Sequence, residues 1–401
     1  MLTHLFKLIW NKKKQNALLI TEMFISFIVM FAIFTMVVFS YRNYREPMGF
    51  DYENVWAVNF TPPENITSSD SAAIFHDALK NSLQSMRQIT ALSFSGNNIP
   101  FSMNTSNTMV SYDKHKSVMS NVYNAGEDYL KVLNMKLKSG RWFSKADAMS
   151  KTRVVVINSR LQEELFDGKD AIGKKIGDDF SGPVNNLPVA EQMQVIGVVD
   201  DIKDKGSYQA IENGLYKPID TGGARWTSTL LLKVRPGTDA AFEAKLFKTL
   251  SNTIGTNIEI EHLDKKLVSK NKVMLVPMII AFVVAGFLII NVALGLFGVL
   301  WYNINKRRGE IGLRRAVGAT GNSVSKQLVG EALVLSTISL ILGCFFAFQF
   351  PLLNVFDLAS GIYLVAITLS VIFIYALVTL CALYPGKQAA AIYPAVALHE
   401  E

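Results

Sequence analysis

Four long stretches of this sequence carry almost no charge, and they limit the folds open to the chain. Residues 17–41 hold a single charged side chain, Glu22, and residues 273–305, 332–356 and 358–384 hold none. Each stretch exceeds the ~20 residues that an α-helix needs to cross the hydrocarbon core of a bilayer. The sequence therefore predicts an α-helical membrane protein with four transmembrane helices.

The formal net charge of +7 is concentrated in short segments. Residues 42–272 carry 29 basic and 27 acidic side chains, whereas the loop at residues 306–326 sets six basic side chains against Glu310. Short basic loops stay in the cytoplasm, so both termini and this loop are expected inside and residues 42–272 outside. A nucleic-acid surface needs a basic face on a folded domain, and none is expected.

The charge pattern and hydropathy divide the chain into eight segments. In order they are an amphipathic cytoplasmic N-terminal helix (1–16), transmembrane helix 1 (17–41), an external domain (42–272), transmembrane helix 2 with a stalk (273–305), a cytoplasmic loop (306–326), transmembrane helix 3 (327–356), transmembrane helix 4 (358–384) and a cytoplasmic tail (385–401). Residues 1–16 fit either a helix lying in the membrane interface or the frayed start of the first span.

The second span is longer than a bilayer requires. Its 33 uncharged residues cover ~50 Å as a helix, against a hydrocarbon core of about 30 Å, and residues 263–272 before it also have a helical pattern. We expect one continuous helix that extends out of the membrane into the external domain.

The external domain alternates strand and helix patterns at both of its ends. Residues 55–60, 71–86 and 90–95 read as strand, helix and strand, and the same order recurs over residues 229–262. Two β-α-β units of this kind predict a single porter-like α+β layer, with a strand-rich insert at about residues 110–225 and a short helix at 159–166.

Small residues recur every four positions in two spans, for example Ser339, Gly343 and Ala347 in the third. Such stripes allow close packing of helices in lipid. The sequence leaves open whether the partner helix belongs to the same chain or to a second copy.

The sequence contains no complete catalytic motif. Residues 168–175 approach a phosphate-binding loop, but Lys175 replaces the Ser or Thr whose hydroxyl binds Mg²⁺. A turn between strands is the better interpretation. The histidines are scattered, and Cys344 and Cys381 lie in spans. We expect no catalytic, cofactor or metal site.

Two carboxylates lie inside predicted spans, Glu22 and Glu331. Ionisable side chains within spans often mark function, and we treat both as candidate intramembrane polar sites that face the bundle interior. Because both lie near span ends, they could instead extend to the membrane surface.

The loop between spans two and three predicts a short amphipathic helix. Glu310 and Arg314 are spaced for an i,i+4 ion pair, while Leu313, Ala316 and Val317 share one face. Gly318 suits the position just after a helix C-terminus. Anchoring of a basic loop to the membrane surface would explain the same pattern.

Several segments resemble the permease subunit of MacB/FtsX-type (type VII) ABC transporters. Residues 307–319, R-R-G-E-I-G-L-R-R-A-V-G-A, and 327–332, Q-L-V-G-E-A, are similar to the family signature of the FtsX-like transmembrane domain. The Y-P at 384–385 and the residues through 398 resemble its C-terminal motif, with Gly386 and His399 as departures. Residues 129–133, 140–143, 158–166, 172–175 and 195–200 resemble the MacB-like periplasmic core domain.

The resemblance implies a coupling helix that docks on a separate cytoplasmic ABC ATPase subunit. Its residues would be Glu310, Ile311, Gly312, Leu313, Arg314, Arg315, Ala316, Gly318 and Ala319. The resemblance also implies a multi-pass protein of the bacterial inner membrane, with residues 42–272 in the periplasm, and a second permease chain in a homodimer or heterodimer.

By the same resemblance, the chain is a non-catalytic permease that converts ATP hydrolysis into movement of its periplasmic domain, known as mechanotransmission. It would drive export or envelope remodelling, for example efflux of antimicrobial peptides or macrolides, with membrane lipid and a periplasmic membrane-fusion or envelope protein as further partners. The alternatives are a scaffold of cell-division type that regulates a periplasmic hydrolase, and a lipoprotein-releasing permease.

Overall fold

The computed structural model describes residues 13–63, 66, 68–112, 116–150, 152–178, 192–219, 227–255 and 257–392. The chain separates into two compact units. One consists of the described residues of Met1–Arg42 and Leu275–Glu401, here called the membrane unit, and the other is Asn43–Met274, here called the extramembrane unit. Residues 1–12 of the expected N-terminal helix and residues 393–401 of the tail lie outside the described residues.

The elements follow in chain order. They are α1 (Lys13–Arg45), β1 (Val55–Phe60), α2 (Ser69–Gln84), β2 (Ile89–Ser95), β3 (Asn107–Ser111), β4 (Ser117–Ala125), α3 (Tyr129–Val132), β5 (Leu137–Gly140), α4 (Lys145–Ala148), β6 (Arg153–Asn158), α5 (Ser159–Phe166), β7 (Lys175–Asp178), β8 (Met193–Val199), β9 (Gly214–Pro218), β10 (Thr229–Val234), α6 (Ala240–Ile254), β11 (Ile258–His262), α7 (Leu263–Lys306), α8 (Arg308–Ala316), α9 (Gly321–Ala347), α10 (Gln349–Leu352), a 3₁₀ turn (Val355–Asp357) and α11 (Ser360–Ala390).

Four of the described helices are long and apolar enough to cross a membrane, within α1, α7, α9 with α10, and α11. The prediction of four transmembrane helices is confirmed. The longest is α7, whose 44 residues run without interruption past Pro277 and reach ~65 Å at 1.5 Å per residue. The expected continuity of the second span with residues 263–272 is therefore also confirmed.

The core of the membrane unit is built from apolar side chains of all four long helices, among them Phe27 of α1, Leu296 of α7, Leu335 of α9 and Ile374 of α11. The small-residue stripe of α9 lies in this core. A Cβ added at Gly343 would come 2.3 Å from Phe27 Cδ1. This part of the stripe therefore packs against α1 of the same chain.

The layer of the extramembrane unit has four antiparallel strands in the order β11-β1-β10-β2. Helices α2 and α6 pack on one face, where Leu79 and Leu246 meet Leu230 in a buried cluster. Each helix begins at a side-chain cap: Ser68 accepts from the Ser71 amide, and Asp239 accepts from the Phe242 amide. The two predicted β-α-β units and the α+β fold class are confirmed.

Within the extramembrane unit, the insert between the two β-α-β segments of the sequence forms a ring of strands. The order β4-β3-β7-β8-β6-β9 continues from the layer, and the parallel pairing of β9 with β4 closes it. Ser95 of β2 and Ala125 of β4 are the paired residues that join the ring to the layer. The ring encloses its own core, including Val110, Leu161 and Val195. A strand-rich insert was expected, but its closure was not.

The segment that approached a phosphate-binding loop is a turn. It follows α5, whose last residue is succeeded by Asp167 in the left-handed region, and it passes through Gly168 and Gly173 at positive φ before β7 begins. The turn is confirmed, but the expectation that it lies between two strands is wrong, because it joins the helix α5 to the strand β7.

Candidate functional site

Most of the segment expected to form a coupling helix lies in the nine-residue helix α8 (Arg308–Ala316), whereas Gly318 and Ala319 follow its C-terminus. Glu310 lies in its first turn and Arg314 and Arg315 in its last, which is the charge order that complements a helix dipole. At the C-terminus the Gly318 amide donates to the Arg315 carbonyl (3.1 Å) and the Ala319 amide to the Arg314 carbonyl (3.0 Å). These two bonds form a Schellman motif, which Gly318 permits through its φ of +105°.

Five side chains around α8 form a closed hydrogen-bonded ring, here called the polar ring. Arg307 Nε donates to Glu310 Oε2 (3.1 Å), and Arg314 Nη2 donates to Glu310 Oε1 (2.6 Å). Arg314 Nη1 donates to Gln327 Oε1 (2.9 Å), and Gln327 Nε2 donates to Glu331 Oε1 (3.2 Å). Arg307 Nη1 closes the ring on Glu331 Oε2 at 3.0 Å. The two guanidinium groups balance the two carboxylates.

The polar ring fastens α8 to the start of α9, and a further arginine fastens it to the end of α11. Arg315 Nη1 donates to the Ala390 carbonyl (2.7 Å) and to the Ile392 carbonyl (2.6 Å). These carbonyls lie at a helix C-terminus, where a cation satisfies acceptors that lack partners within the helix. The helices α9 and α11 of the membrane unit are thus joined through α8.

The two sides of α8 have different surroundings. Ile311 is buried in a cluster with Ile304, Val324 and Leu328, and Gly312 beside it is buried as well. The expected face of Leu313, Ala316 and Val317 is on the outside: Leu313 is 56% exposed and Val317 is 82% exposed, and Ala316 is also exposed. We call these three residues the apolar edge.

The two candidate intramembrane carboxylates have different environments. Glu331 is a member of the polar ring, with 20% of its side chain exposed. Glu22 lies on α1 against Gly295 of α7, where an added Cβ would come 2.7 Å from Glu22 Oε1. No described side chain donates a hydrogen bond to its carboxylate. The structure therefore does not bring Glu22 and Glu331 into one site.

Arg307 and Gln327 stand in the segments that resemble the family motifs, but the sequence assigned them no role. Their contacts connect residues up to 24 positions apart, and side-chain periodicity within one helix reports only neighbours three or four residues away. A basic residue at the end of a span and a Gln-x-x-x-Glu spacing in the next helix were the available signals.

A second feature lies in the extramembrane unit, in residues 201–208, here called the junction loop. Lys203 is 1% exposed, and its ammonium donates to the Asn43 carbonyl and, at 2.7 Å, to the Ser207 carbonyl. Burial lowers the pKa of this ammonium, and Glu46 partly offsets the effect. Because Asn43 lies in the last turn of α1, Lys203 caps the C-terminus of that helix.

The junction loop also holds the first turns of α7. The Ser207 amide donates to Asn271 Oδ1 (2.9 Å), and Asn271 Nδ2 donates to Ser207 Oγ (3.1 Å). Tyr208 at the end of the loop stacks on Tyr44 with ring centroids 5.5 Å apart. The ends of α1 and α7 within the extramembrane unit are therefore bonded to one loop, which directly follows β8 and Asp200.

Within the described residues, no group of three or more His, Cys, Asp and Glu side chains could hold a metal ion. The features that stand out are the anchored helix α8 among four membrane-spanning helices and a two-part extramembrane unit. This combination defines a polytopic membrane protein with a large extramembrane domain and a structured loop between two of its membrane-spanning helices.

The chain belongs to the MacB/FtsX-type family of ABC transporter permeases. The family model for the MacB-like periplasmic core domain matches residues 17–248, and that for the FtsX-like permease C-terminal matches residues 282–394. The resemblance inferred from the sequence motifs is confirmed.

The chain is similar to curated relatives of low identity. It is 23% identical over 287 residues to the uncharacterized ABC transporter permease YknZ of Bacillus subtilis, covering 70% of this chain and 68% of YknZ. It is 24% identical over 250 residues to the macrolide export ATP-binding/permease protein MacB of Aggregatibacter actinomycetemcomitans, covering 60% of this chain and 37% of MacB. The chain thus spans little more than a third of MacB.

Among solved structures, the periplasmic region of MacB from Actinobacillus actinomycetemcomitans aligns with 55% of this chain and 94% of its own length. The identity is 20% and the TM-score is 0.37.

Proposed function

We propose that this chain is a non-catalytic permease subunit that couples ATP hydrolysis on a separate cytoplasmic ABC ATPase to a conformational change of its periplasmic domain. In this proposal the loop at residues 306–326 and both termini face the cytoplasm, as the distribution of basic residues favours. Residues 42–272 face the periplasm. The family membership supports the class of protein, and the contacts of α8 and of the junction loop support the mechanism.

The single observation that carries the proposal is the apolar edge on a fastened helix. Leu313, Ala316 and Val317 are exposed, while the polar ring fastens α8 to α9 and Arg315 fastens it to α11. A rigid helix with an exposed apolar edge suits docking into a groove of a partner protein. A displacement of that partner would then move α9 and α11 together with α8.

The alternative role of α8, anchoring to anionic lipid, needs basic side chains that reach the membrane surface. Arg307, Arg314 and Arg315 instead donate to acceptors within the chain. Three of the six basic side chains in residues 306–326 therefore already have hydrogen-bond acceptors within the chain. This pairing favours a protein partner over a lipid surface.

On the periplasmic side, the junction loop supports the transmission of movement. The end of α1 and the first turns of α7 both bond to residues 201–208, and α7 is one uninterrupted helix from Leu263 to Lys306. A long helix without a break transmits an axial displacement, because its hydrogen bonds are internal to the segment. We propose that such displacements reach β8 and the strand ring through the junction loop.

We further propose that the transporter contains a second permease chain, identical or different, and that it exports a substrate or remodels the envelope. The macrolide export named for the MacB relative makes macrolides the first cargo class to test. Antimicrobial peptides are the second class, and a membrane-fusion protein is a candidate periplasmic partner. A cell-division scaffold and a lipoprotein-releasing permease are the alternatives in the same family.

The test is co-purification of an ABC ATPase with the tagged full-length chain from its native host. We expect an ATPase identified by its own peptides, and at least a tenfold loss of it in Leu313→Glu/Val317→Glu, because each new carboxylate would have to be desolvated at the interface. The matched control is Leu313→Met/Val317→Ile, which keeps the edge apolar and should retain the ATPase.

Equal recovery of the ATPase with the native chain and with the double-Glu variant would overturn the docking role of the apolar edge. Both variants must show native thermal unfolding, which is expected since the substituted side chains are exposed and surface changes rarely alter stability by more than about 0.5 kcal/mol.

A further inference from the structure

A cavity of about 180 Å³ lies in the extramembrane unit between the β-α-β layer and the strand-ring insert. We call it the cleft. The layer contributes residues of α2 and β2, and the insert contributes residues around α4 and the ends of β4 and β9. Neither the apolar edge of α8 nor the junction loop includes any of these residues, so the proposed function leaves the cleft without a role.

The walls of the cleft are largely apolar. Phe94, Phe143, Met149 and Ile219 line it, and His76 stacks on Phe94 with ring centroids 4.1 Å apart. Cavities of about 150 Å³ with apolar walls in other proteins bind a benzene molecule. The cleft therefore has the size and the lining for one ring-sized apolar group.

Two sets of ion pairs cross the cleft from α2 to the insert. Lys80 lies 2.5 Å from Glu127 and 2.8 Å from Asp128, and Asp77 lies 2.9 Å from Lys145. The set contains three carboxylates and two ammonium groups. Burial lowers the pKa of the His76 imidazole to about 4, with Asp77 opposing the shift, so His76 adds no positive charge at neutral pH.

The Asp77–Lys145 pair is the weaker of the two sets. Its side chains are 56% and 60% exposed, whereas Lys80 is 21% exposed and bonds to two carboxylates. Exposed ion pairs contribute little to stability because water screens them. A cation that enters the cleft would therefore find Asp77 the most readily available carboxylate.

We propose that the cleft binds an apolar, ring-sized group that carries one positive charge. The ring lies against Phe94, Phe143 and His76, and the cation pairs with Asp77 in place of Lys145. An arylalkylamine fits this chemistry. Because the ion pairs join the layer to the insert, occupancy of the cleft alters a contact between the two parts of the extramembrane unit.

The experiment compares three probes that share a ring and differ in charge: 2-phenylethylamine, 2-phenylethanol and 3-phenylpropionate. Binding to the full chain in nanodiscs is followed at pH 7.5 by saturation-transfer NMR with competition. We expect the amine to bind at least tenfold more tightly than the propionate, with the alcohol in between.

Two variants locate the binding. Ala73→Trp places a large side chain in the cleft and should lower the affinity for the amine at least tenfold. The control is Ile74→Trp, at a neighbouring residue that is 71% exposed and does not line the cleft, and it should leave the affinity for the amine unchanged. Asp77→Asn should lower amine affinity to that of the alcohol and leave the alcohol unaffected.

Three outcomes would overturn the proposal. They are equal affinities for the three probes, amine binding that survives in Ala73→Trp (partition into lipid only), and amine affinity unchanged in Asp77→Asn. If Ala73→Trp fails to fold, the comparison of amine and alcohol affinities in Asp77→Asn still tests the proposal. None of these results depends on an ATPase partner, so the proposed function is tested separately.

Discussion

Arg307 Nη1 lies 3.0 Å from Glu331 Oε2, although the two residues are 24 positions apart in the chain. Arg307 is the residue between α7 and α8, and Glu331 is in the third turn of α9. Their side chains are 14% and 20% exposed. A single partly buried ion pair thus ties the end of the longest span to the next span and to the helix between them.

Arg307→Ala should destabilise the membrane unit by about 2 kcal/mol, because Glu331 would lose its charged partner in a partly buried position. The apparent unfolding temperature of the purified chain in detergent measures the effect. Arg307→Gln/Glu331→Gln removes both charges and should recover at least half of the loss. If the single and double variants unfold at the native temperature, the polar ring does not fasten α8.

Lys203→Met should loosen the junction loop. The substitution removes the hydrogen bonds from a buried ammonium to the Asn43 carbonyl at the end of α1 and to the Ser207 carbonyl of the loop, each worth about 1.5–3 kcal/mol when a charge is involved. Hydrogen exchange of the amides in residues 43–48 and 201–208 should become at least tenfold faster. The exposed Lys131→Met is the matched control, and equal exchange in both variants would refute the capping role.

Gly343→Ala should disturb the packing of α9 on α1. The added methyl would lie 2.3 Å from Phe27 Cδ1, and overpacking of a tight core costs about 1–3 kcal/mol. Gly330→Ala in the same helix has open space around its Cβ and should be neutral or stabilising by up to about 1 kcal/mol. Thermal unfolding of the two variants should therefore move in different directions, and equal stability would show that α1 does not contact Gly343 in the membrane.

The extramembrane unit should lose stability between pH 6.5 and pH 4. The pKa of His76 falls to about 4 because burial disfavours the imidazolium. In this range the unfolded chain binds a proton at His76 that the folded chain does not, so acidification favours unfolding. His76→Gln should show a shallower loss of stability over the same range. Parallel pH profiles for the two proteins would mean that His76 keeps its ordinary pKa.

Much of the fold could be predicted from the sequence because its signals are local. The uncharged stretches predict the membrane spans, and the change between two-residue and 3.6-residue periodicity predicts β1, α2 and β2. The closure of the strand ring and its connection to the layer could not be predicted, since they depend on the pairing of β4 with β9 and of Ser95 with Ala125, which lie far apart in the sequence.

In the candidate site as well, features within one helix could be predicted from the sequence and contacts between helices could not. The helix α8, its C-terminal Gly318 and the pairing of Glu310 with Arg314 follow from spacing within one helix. The contacts of Arg307 with Glu331 and of Arg315 with Ala390 join separate helices, so they require the tertiary fold. Lys203 lies in a charged Asp-Ile-Lys-Asp-Lys segment that is typical of a solvated loop, and only the three-dimensional structure reveals its burial.

The central claim, that nucleotide turnover moves the periplasmic domain, is tested most directly by hydrogen exchange of the transporter with its ATPase in nanodiscs. Exchange in residues 43–48 and 201–208 is compared without nucleotide and with ATP and vanadate. The account predicts a nucleotide-dependent change in the native complex that is absent in Leu313→Glu/Val317→Glu. Exchange at these residues that is the same with and without nucleotide in the native complex would contradict it.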